Sequence, residues 1–471
     1  MKKLILLMLT LVVMLGVLAA CATNTPTPTE IPEPTYQISA YKSKGAYTEP
    51  QNMLSWENTN KYPIKSTTMT TDEARTLVTD FFRYAKTVCW VPDDTLQFVR
   101  NSSGSADEMV KGIVHGGLPY VGLGSGNIYR LMDYMDPKTG VVNIKNAVES
   151  DKPYDGWKTF GNQCSIGAYW GFGRVINHAN YKWTQGMTEK NGFYRIGPYT
   201  YDDNLARFGG KTNGVSNPTT TSLLEENGRE VMYESYAMLK KGDGLTYYTT
   251  AGHVIMSSCD AVVVRGADGK IDPGQSYITI IDQGQTWIED AKNEQGDTYK
   301  YKGGVDVKKT FVNLFDQHYV PWTLAEMNGW DPIEITESSF VTGDGKIYAK
   351  GTVSEEDRTF KSTTEAPKSI TRDMLFTSYV TANYGISDIY AIVHDDNGSE
   401  VYKHAVRATS ASIYKLTMIE STDKAVNNVE RWGSLDDFTA DEHLTVTIMA
   451  QLSTGERYTL WEGDLDLSEP A

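Results

Sequence analysis

The chain is poor in cysteine and in positive charge, and both shortages restrict what it can do. Its 471 residues contain four cysteines, none in the Cys-x-x-Cys spacing of zinc and redox sites. Basic residues number 44 against 60 acidic ones, which gives a formal net charge of −16. Because nucleic acids bind to basic surfaces that release counterions, the sequence predicts no nucleic-acid partner.

Phosphate-binding motifs are also missing. The glycine-rich segment 116–127 contains no Gly-Lys-Ser/Thr sequence, and no strand-led Gly-x-Gly-x-x-Gly is present. We therefore expect no nucleotide cofactor and no metal ion. The same segment is instead predicted to be a loop of a substrate cleft that presents Tyr120.

The N-terminus has the pattern of an export signal. Lys2 and Lys3 precede an apolar run that is short for a membrane span and ends in small residues before Cys21. The sequence Leu-Ala-Ala-Cys resembles the lipobox of bacterial lipoproteins. This resemblance implies cleavage after residue 20 and lipidation of Cys21, which would anchor the protein to the extracellular face of the bacterial membrane. A plain signal peptide or one membrane helix is the alternative.

Composition divides the rest of the chain. Residues 21–40 are rich in proline and threonine and are predicted to form an extended tether. A capping box at Thr70–Glu73 predicts a helix over about 72–89 that opens a folded domain, which we place at 41–332. Short alternating runs separated by turns predict an antiparallel β-sandwich at 333–471. The expected fold class is α+β.

One cysteine has the surroundings of a nucleophile. Cys164 follows a glycine-led turn and opens an apolar segment, 164–176, which predicts a thiol at a helix N-terminus, where backbone N–H groups and the helix dipole lower its pKa. The best candidate for its base is His253, which lies 253 − 164 = 89 positions later, after a Gly-Asp turn and at the start of a predicted strand.

This order of motifs resembles the NlpC-type cell-wall peptidases and the related CHAP amidases. The resemblance covers roughly 116–283 and implies a papain-like helix packed on an antiparallel sheet. It implies Cys164 as nucleophile, His253 as general base and Asp282 as the residue that orients the imidazole, with Gln283 as the alternative third member.

The resemblance extends to substrate binding. Tyr120 matches a Pro-Tyr that lines the site in the NlpC-type family, and Gln163 and Ser165, which flank the cysteine, are predicted to bind substrate with it. That family has Asp before its cysteine where this chain has Gln163, so the resemblance does not imply recognition of a free amino terminus. The implied partners are peptidoglycan stem peptides.

Two other functions fit the same residues. A transglutaminase-like enzyme also orders Cys, His and Asp along the chain, and a non-catalytic lipoprotein could bind cell-wall polymer through aromatic clefts.

The sequence leaves Cys89 and Cys259 either disulfide-bonded or buried as thiols.

Overall fold

A computed structural model of the protein describes most of the chain after residue 68. The signal segment, the tether and Cys21 lie outside the described residues. The structure describes residues 69–99, 106–122, 126–136, 139–143, 161–174, 183–292, 298–328, 337–353, 359–365, 367–408, 414–420, 429–452 and 457–468.

The described residues form a mixed α+β fold in which strands predominate, which confirms the expected class. The helices are α1 (Thr71–Thr87), α2 (Ile128–Asp133), α3 (Cys164–Phe172), α4 (Thr220–Asn227), α5 (Arg229–Tyr236), α6 (Phe311–Asp316) and α7 (Arg372–Thr377). Short 3₁₀ turns cover Thr184–Gly186, Glu189–Asn191, Ala325–Asn328 and Leu435–Asp437.

The strands fall into a first group up to residue 323 and a second group from residue 338. The first group is β1 (Cys89–Pro92), β2 (Leu96–Val99), β3 (Ala106–Met109), β4 (His115–Gly116), β5 (Val141–Val142), β6 (Tyr194–Arg195), β7 (Lys211–Thr212), β8 (Val215–Ser216), β9 (Gly244–Tyr248), β10 (Gly252–Ser257), β11 (Tyr277–Lys292), β12 (Thr298–Thr310) and β13 (Val320–Thr323). The second group is β14 (Ser338–Val341), β15 (Ile347–Val353), β16 (Phe360–Ser362), β17 (Ser369–Thr371), β18 (Tyr379–Ala382), β19 (Ile386–His394), β20 (Glu400–Arg407), β21 (Lys415–Thr417), β22 (Val429–Trp432), β23 (Leu444–Leu452) and β24 (Arg457–Asp466).

The predicted first helix forms where its capping box places it. In α1 the Glu73 N–H donates to Thr70 Oγ1 at 3.2 Å, and the Thr70 N–H donates to Glu73 Oε2 at 2.7 Å. The box satisfies backbone donors that the first helical turn leaves without partners. Its apolar face, which includes Val78, Phe81 and Phe82, is buried.

A nine-stranded sheet runs through the first group in the order β5-β1-β4-β12-β11-β10-β9-β13-β6, and its central pairs are antiparallel. Successive side chains of a strand face opposite sides, so β10 supplies two cores. Val254 and Met256 join the core under α1 and α3, whereas Ile255 joins the core beneath α4, α5 and α6. The strand predicted at His253 is present and ends at Ser257.

Helix α3 lies close to the sheet and to helix α1 because two of its residues lack side chains. A Cβ added at Gly167 would come within 3.0 Å of Gln283 Cβ, and one added at Gly171 would come within 3.2 Å of Phe82 Cβ. These distances are shorter than ordinary van der Waals contacts, so glycine sets how near the helix approaches. That approach brings the first residue of α3 to the edge of β10.

The second group forms two sheets that share one core. Their orders are β16-β15-β14-β18-β21 and β17-β24-β23-β19-β20-β22, and residues of both sheets, such as Phe340 and Ile389, pack in the core between them. Two features differ from the antiparallel sandwich that the sequence predicts. Strands β17 and β24 pair in parallel, and helix α7 leads from β17 to β18.

Buried charges join α2 to the six-stranded sheet of the second group. Arg130 Nε lies 3.0 Å from Asp388 Oδ1, and Asp133 accepts bonds from Arg407 at 2.7 Å and Arg457 at 2.9 Å. Burial alone would raise the pKa of Asp133, but Lys403, Arg407 and Arg457 hold it below its usual value. The carboxylate therefore stays ionised at the contact between the two parts of the chain.

Candidate active site

Cys164 is the first residue of α3, as the sequence predicts. Gln163 precedes it in extended conformation and makes no side-chain capping bond to the helix. The backbone N–H groups of Val254 and Ser165 donate to the Cys164 sulfur. The side chain is 4% exposed, so the sulfur has these backbone donors and the helix dipole in place of bulk water.

His253 lies between this sulfur and a carboxylate. Its Nε2 is 3.0 Å from Asp282 Oδ2, and the two side chains are each 18% exposed. The imidazole also hydrogen-bonds to Cys164. Since Nε2 faces Asp282, Nδ1 is the ring nitrogen left for the sulfur. Strands β10 and β11 are neighbours in the sheet, with Ile255 opposite Asp282, and this register brings the carboxylate to the imidazole.

The charges of the pair stabilise each other. Burial would raise the pKa of the Cys164 thiol, but the charge and hydrogen bond of His253 and the two backbone donors lower it below its usual value. Burial would lower the pKa of His253, but the Cys164 thiolate and Asp282 raise it. The site therefore favours a thiolate–imidazolium pair, whose thiolate is the nucleophilic form of cysteine.

Cys89 provides a comparison inside the same protein. It is also buried, and burial raises the pKa of its thiol far above the usual value. Cys89 and Cys259 are free thiols, so the structure has no disulfide between them. Cys259 is only partly buried, and its sulfur accepts the Thr279 N–H at 3.2 Å.

Gln283 does not take the place of Asp282. As the next residue of β11 it faces the other side of the sheet, where its Nε2 donates to the carbonyl oxygens of Leu118 and Pro119, each at 3.1 Å, and of Asn162 at 3.3 Å. Lys86 Nζ donates to its Oε1. Gln283 therefore links the segment before Tyr120 to the segment before Cys164 through hydrogen bonds. It does not contact the His253 imidazole, so it is not the third member of the site.

Two glycines make room for the Asp282 carboxylate, and a third makes room for its backbone carbonyl. A Cβ at Gly284 would lie 2.6 Å from Oδ2 and one at Gly304 would lie 2.7 Å from Oδ1. Gly303, at a positive φ of 92°, would place a Cβ 2.1 Å from the Asp282 carbonyl oxygen. The pairing of β11 with β12 is irregular here, so these residues form a bulge around the carboxylate.

An open cleft of about 840 Å³ borders His253 and Asp282, while Cys164, which is 4% exposed, is not among the described residues that line it. It is lined by Tyr120, Tyr247, Ala251, Gly252, His253, Ile255, Ile280, Asp282, Gly284, Gly303, Gly304, Val307, Lys309, Gln317 and Tyr319. Tyr120 thus lies where the sequence places it, and its backbone pairs with Asn162, two residues before the cysteine.

Gln163 and Ser165 differ from their predicted role. Neither belongs to the described residues that line the cleft, and the Ser165 side chain is completely buried. The contribution of Ser165 is its backbone N–H, which donates to the sulfur of Cys164. Ser165 is the second residue of α3, and its side chain faces the interior of the protein instead of the cleft.

The Gly-Asp turn before β9 has a structural function that the sequence did not reveal. Asp243 is buried, accepts a bond from Arg75 Nη1 at 2.8 Å and another from Thr323 Oγ1 at 2.7 Å. Gly242 precedes it at a φ of 84°. The turn therefore connects α1 to strands β9 and β13, which support β10 and its histidine.

Comparisons of the chain with protein-family models, with curated proteins and with solved structures found no match. Within the described ranges, no group of three or more His, Cys, Asp and Glu side chains is placed to hold a metal ion. The described helices include none with the length and apolar character needed to cross a membrane.

Proposed function

We propose that this protein is a papain-like cysteine hydrolase that cleaves an amide bond. The observation that carries the proposal is the position of His253, which hydrogen-bonds to the Cys164 sulfur through one ring nitrogen and to Asp282 at 3.0 Å through the other. In this reading Cys164 is the nucleophile, His253 the general base and acid, and Asp282 the residue that holds the imidazole.

Each group has a defined step in the reaction. The Cys164 thiolate attacks the amide carbonyl, and the negative charge that develops on oxygen is stabilised by the backbone N–H of Cys164 at the helix N-terminus. The His253 imidazolium gives its proton to the leaving amine, which departs and leaves a thioester. The neutral imidazole then takes a proton from water, whose attack on the thioester releases the carboxylic acid and restores the thiolate–imidazolium pair.

Peptidoglycan is the proposed substrate, with cleavage in or next to the stem peptide. Support comes from the resemblance of sequence motifs within residues 116–283 to those of cell-wall hydrolases and from the export signal predicted before Cys21. Lipidation of Cys21 would hold the enzyme on the extracellular face of a bacterial membrane, next to the wall. The cleft of about 840 Å³ is large enough for several residues of an extended peptide and is open to solvent.

The test is release of new amino groups from purified peptidoglycan, followed by mass analysis of the fragments. We expect Cys164→Ala to abolish release while the protein stays folded. Cys259→Ser is the matched control, because it changes another free thiol outside the site and should keep the activity. Equal release by wild type and Cys164→Ala would exclude this nucleophile. Binding to peptidoglycan without cleavage by the reduced wild type would favour a non-catalytic wall-binding protein.

A further inference from the structure

The cleft contains a cation that the proposed chemistry does not use. Lys309, near the end of β12, lines the cleft together with Gln317 and Tyr319. Its Nζ donates to Gln317 Oε1 at 2.8 Å, which is a neutral acceptor on an exposed side chain. Among the described residues Lys309 forms no ion pair within 4.0 Å, although the chain as a whole is strongly acidic.

The position of Lys309 relates it to the reacting groups. Its backbone pairs with Ile278, four residues before Asp282 on the neighbouring strand. At 3.3 Å per residue this is roughly 13 Å along the sheet, a distance that a lysine side chain shortens by several ångströms. Ile278 and Asp282 are an even number of residues apart, so Lys309 and Asp282 share the same side of the sheet. An extended substrate bound along the cleft would thus present a group to Lys309, and this group would lie about one to three residues away from the scissile bond.

From these contacts we infer that Lys309 binds a carboxylate of the substrate and makes the cleft selective for acidic peptides. This inference rests on the proposed function and names its substrate class. A partly buried ammonium group without an anionic partner is incompletely compensated, and a carboxylate could displace the Gln317 amide and form a charge-assisted bond. Burial lowers the pKa of Lys309 while Asp282 raises it, so desolvation outweighs the nearby charge.

Binding to a catalytically inactive protein separates this inference from the hydrolase proposal. Isothermal titration calorimetry of the Cys164→Ala variant would compare two probes, a stem tetrapeptide with a free glutamate α-carboxylate and the same peptide with that group as a carboxamide. We expect the carboxylate probe to bind roughly 10- to 100-fold more tightly. Adding Lys309→Met should remove this preference without weakening the carboxamide probe, and Lys309→Arg should retain part of it.

Lys308→Met is the matched control. Lys308 is the preceding residue and carries the same charge, but its Nζ lies 4.0 Å from the centre of the Tyr277 ring on the other side of the strand. This variant should keep the preference. Equal binding of both probes to the parent, or an equal loss for both probes in Lys309→Met, would overturn the inference. If the wild type cleaves no peptidoglycan but the parent variant still prefers the carboxylate probe, the inference about Lys309 stands and the proposed hydrolase function is wrong.

Discussion

Replacing Asp282 by Asn should weaken the imidazolium form of His253 without removing the side chain that fills this position. The carboxylate lies 3.0 Å from His253 Nε2, and both side chains are largely buried. A hydrogen bond to a charged group contributes about 1.5–3 kcal/mol, and each pKa unit corresponds to about 1.36 kcal/mol. We therefore expect the raised pKa of His253 to fall by about one to two units in the variant.

The assay is NMR titration of the protein with ¹³C-labelled histidine, in which the His253 resonance is assigned by its loss in His253→Gln. The chain has seven histidines, so the spectrum is simple. Asp396→Asn is the matched control, because Asp396 raises the pKa of the exposed His443 in the same way. It should lower the pKa of His443 and leave His253 unchanged. An unchanged pKa of His253 in Asp282→Asn would refute the electrostatic role assigned to this carboxylate.

Two further predictions concern residues around the site. Gly304→Ala places a Cβ 2.7 Å from Asp282 Oδ1, so the carboxylate must move. We expect the pKa of His253 to fall as in Asp282→Asn, measured by the same NMR titration. An unchanged pKa of His253 would contradict the packing argument. Asp133→Asn leaves the buried guanidinium of Arg407 with one fewer anionic partner and should cost about 3–5 kcal/mol in unfolding free energy at neutral pH, measured by chemical denaturation. Because the pKa of Asp133 is lowered on folding, its contribution to stability is complete above the usual pKa of a carboxyl and is lost progressively as the pH falls below about 4. A difference in unfolding free energy between wild type and Asp133→Asn that persists undiminished in acid would contradict this prediction.

Local sequence patterns were sufficient for the elements that carry the pair. The capping box predicted α1, and the glycine-led turn before an apolar run predicted α3 with Cys164 at its start. The sequence also predicted the strand at whose start His253 lies. These patterns work because helix caps and strand alternation depend on residues only a few positions apart.

Contacts between distant parts of the chain could not be predicted in this way. Gly304 packs against Asp282 through an irregular strand pairing, and no periodic pattern marks such a bulge. Lys309 reaches the cleft by belonging to a strand that the sequence analysis did not identify. Asp133 meets Arg407 across 407 − 133 = 274 positions, and an ion pair of this separation leaves no local signature.

The interface between the two parts of the chain bears on the site. Asn162, two residues before Cys164, donates to the Gly126 carbonyl at 3.1 Å. The next residue, Asn127, caps the helix α2, whose Arg130 pairs with Asp388 of the second part. The β-sheets of the second part therefore support the segment that contacts the start of α3. This gives the second part a structural role that does not depend on binding any ligand.

The central claim is that Cys164 is a thiolate at neutral pH, and its ultraviolet absorbance tests this most directly. The difference spectrum of wild type minus Cys164→Ser, recorded against pH, follows the ionisation of this thiol alone. The account predicts a midpoint clearly below the usual cysteine pKa of about 8.5, because His253 and two backbone N–H groups stabilise the thiolate. A midpoint at or above that value would contradict the account, since Cys164 would then behave as the buried thiol of Cys89 does.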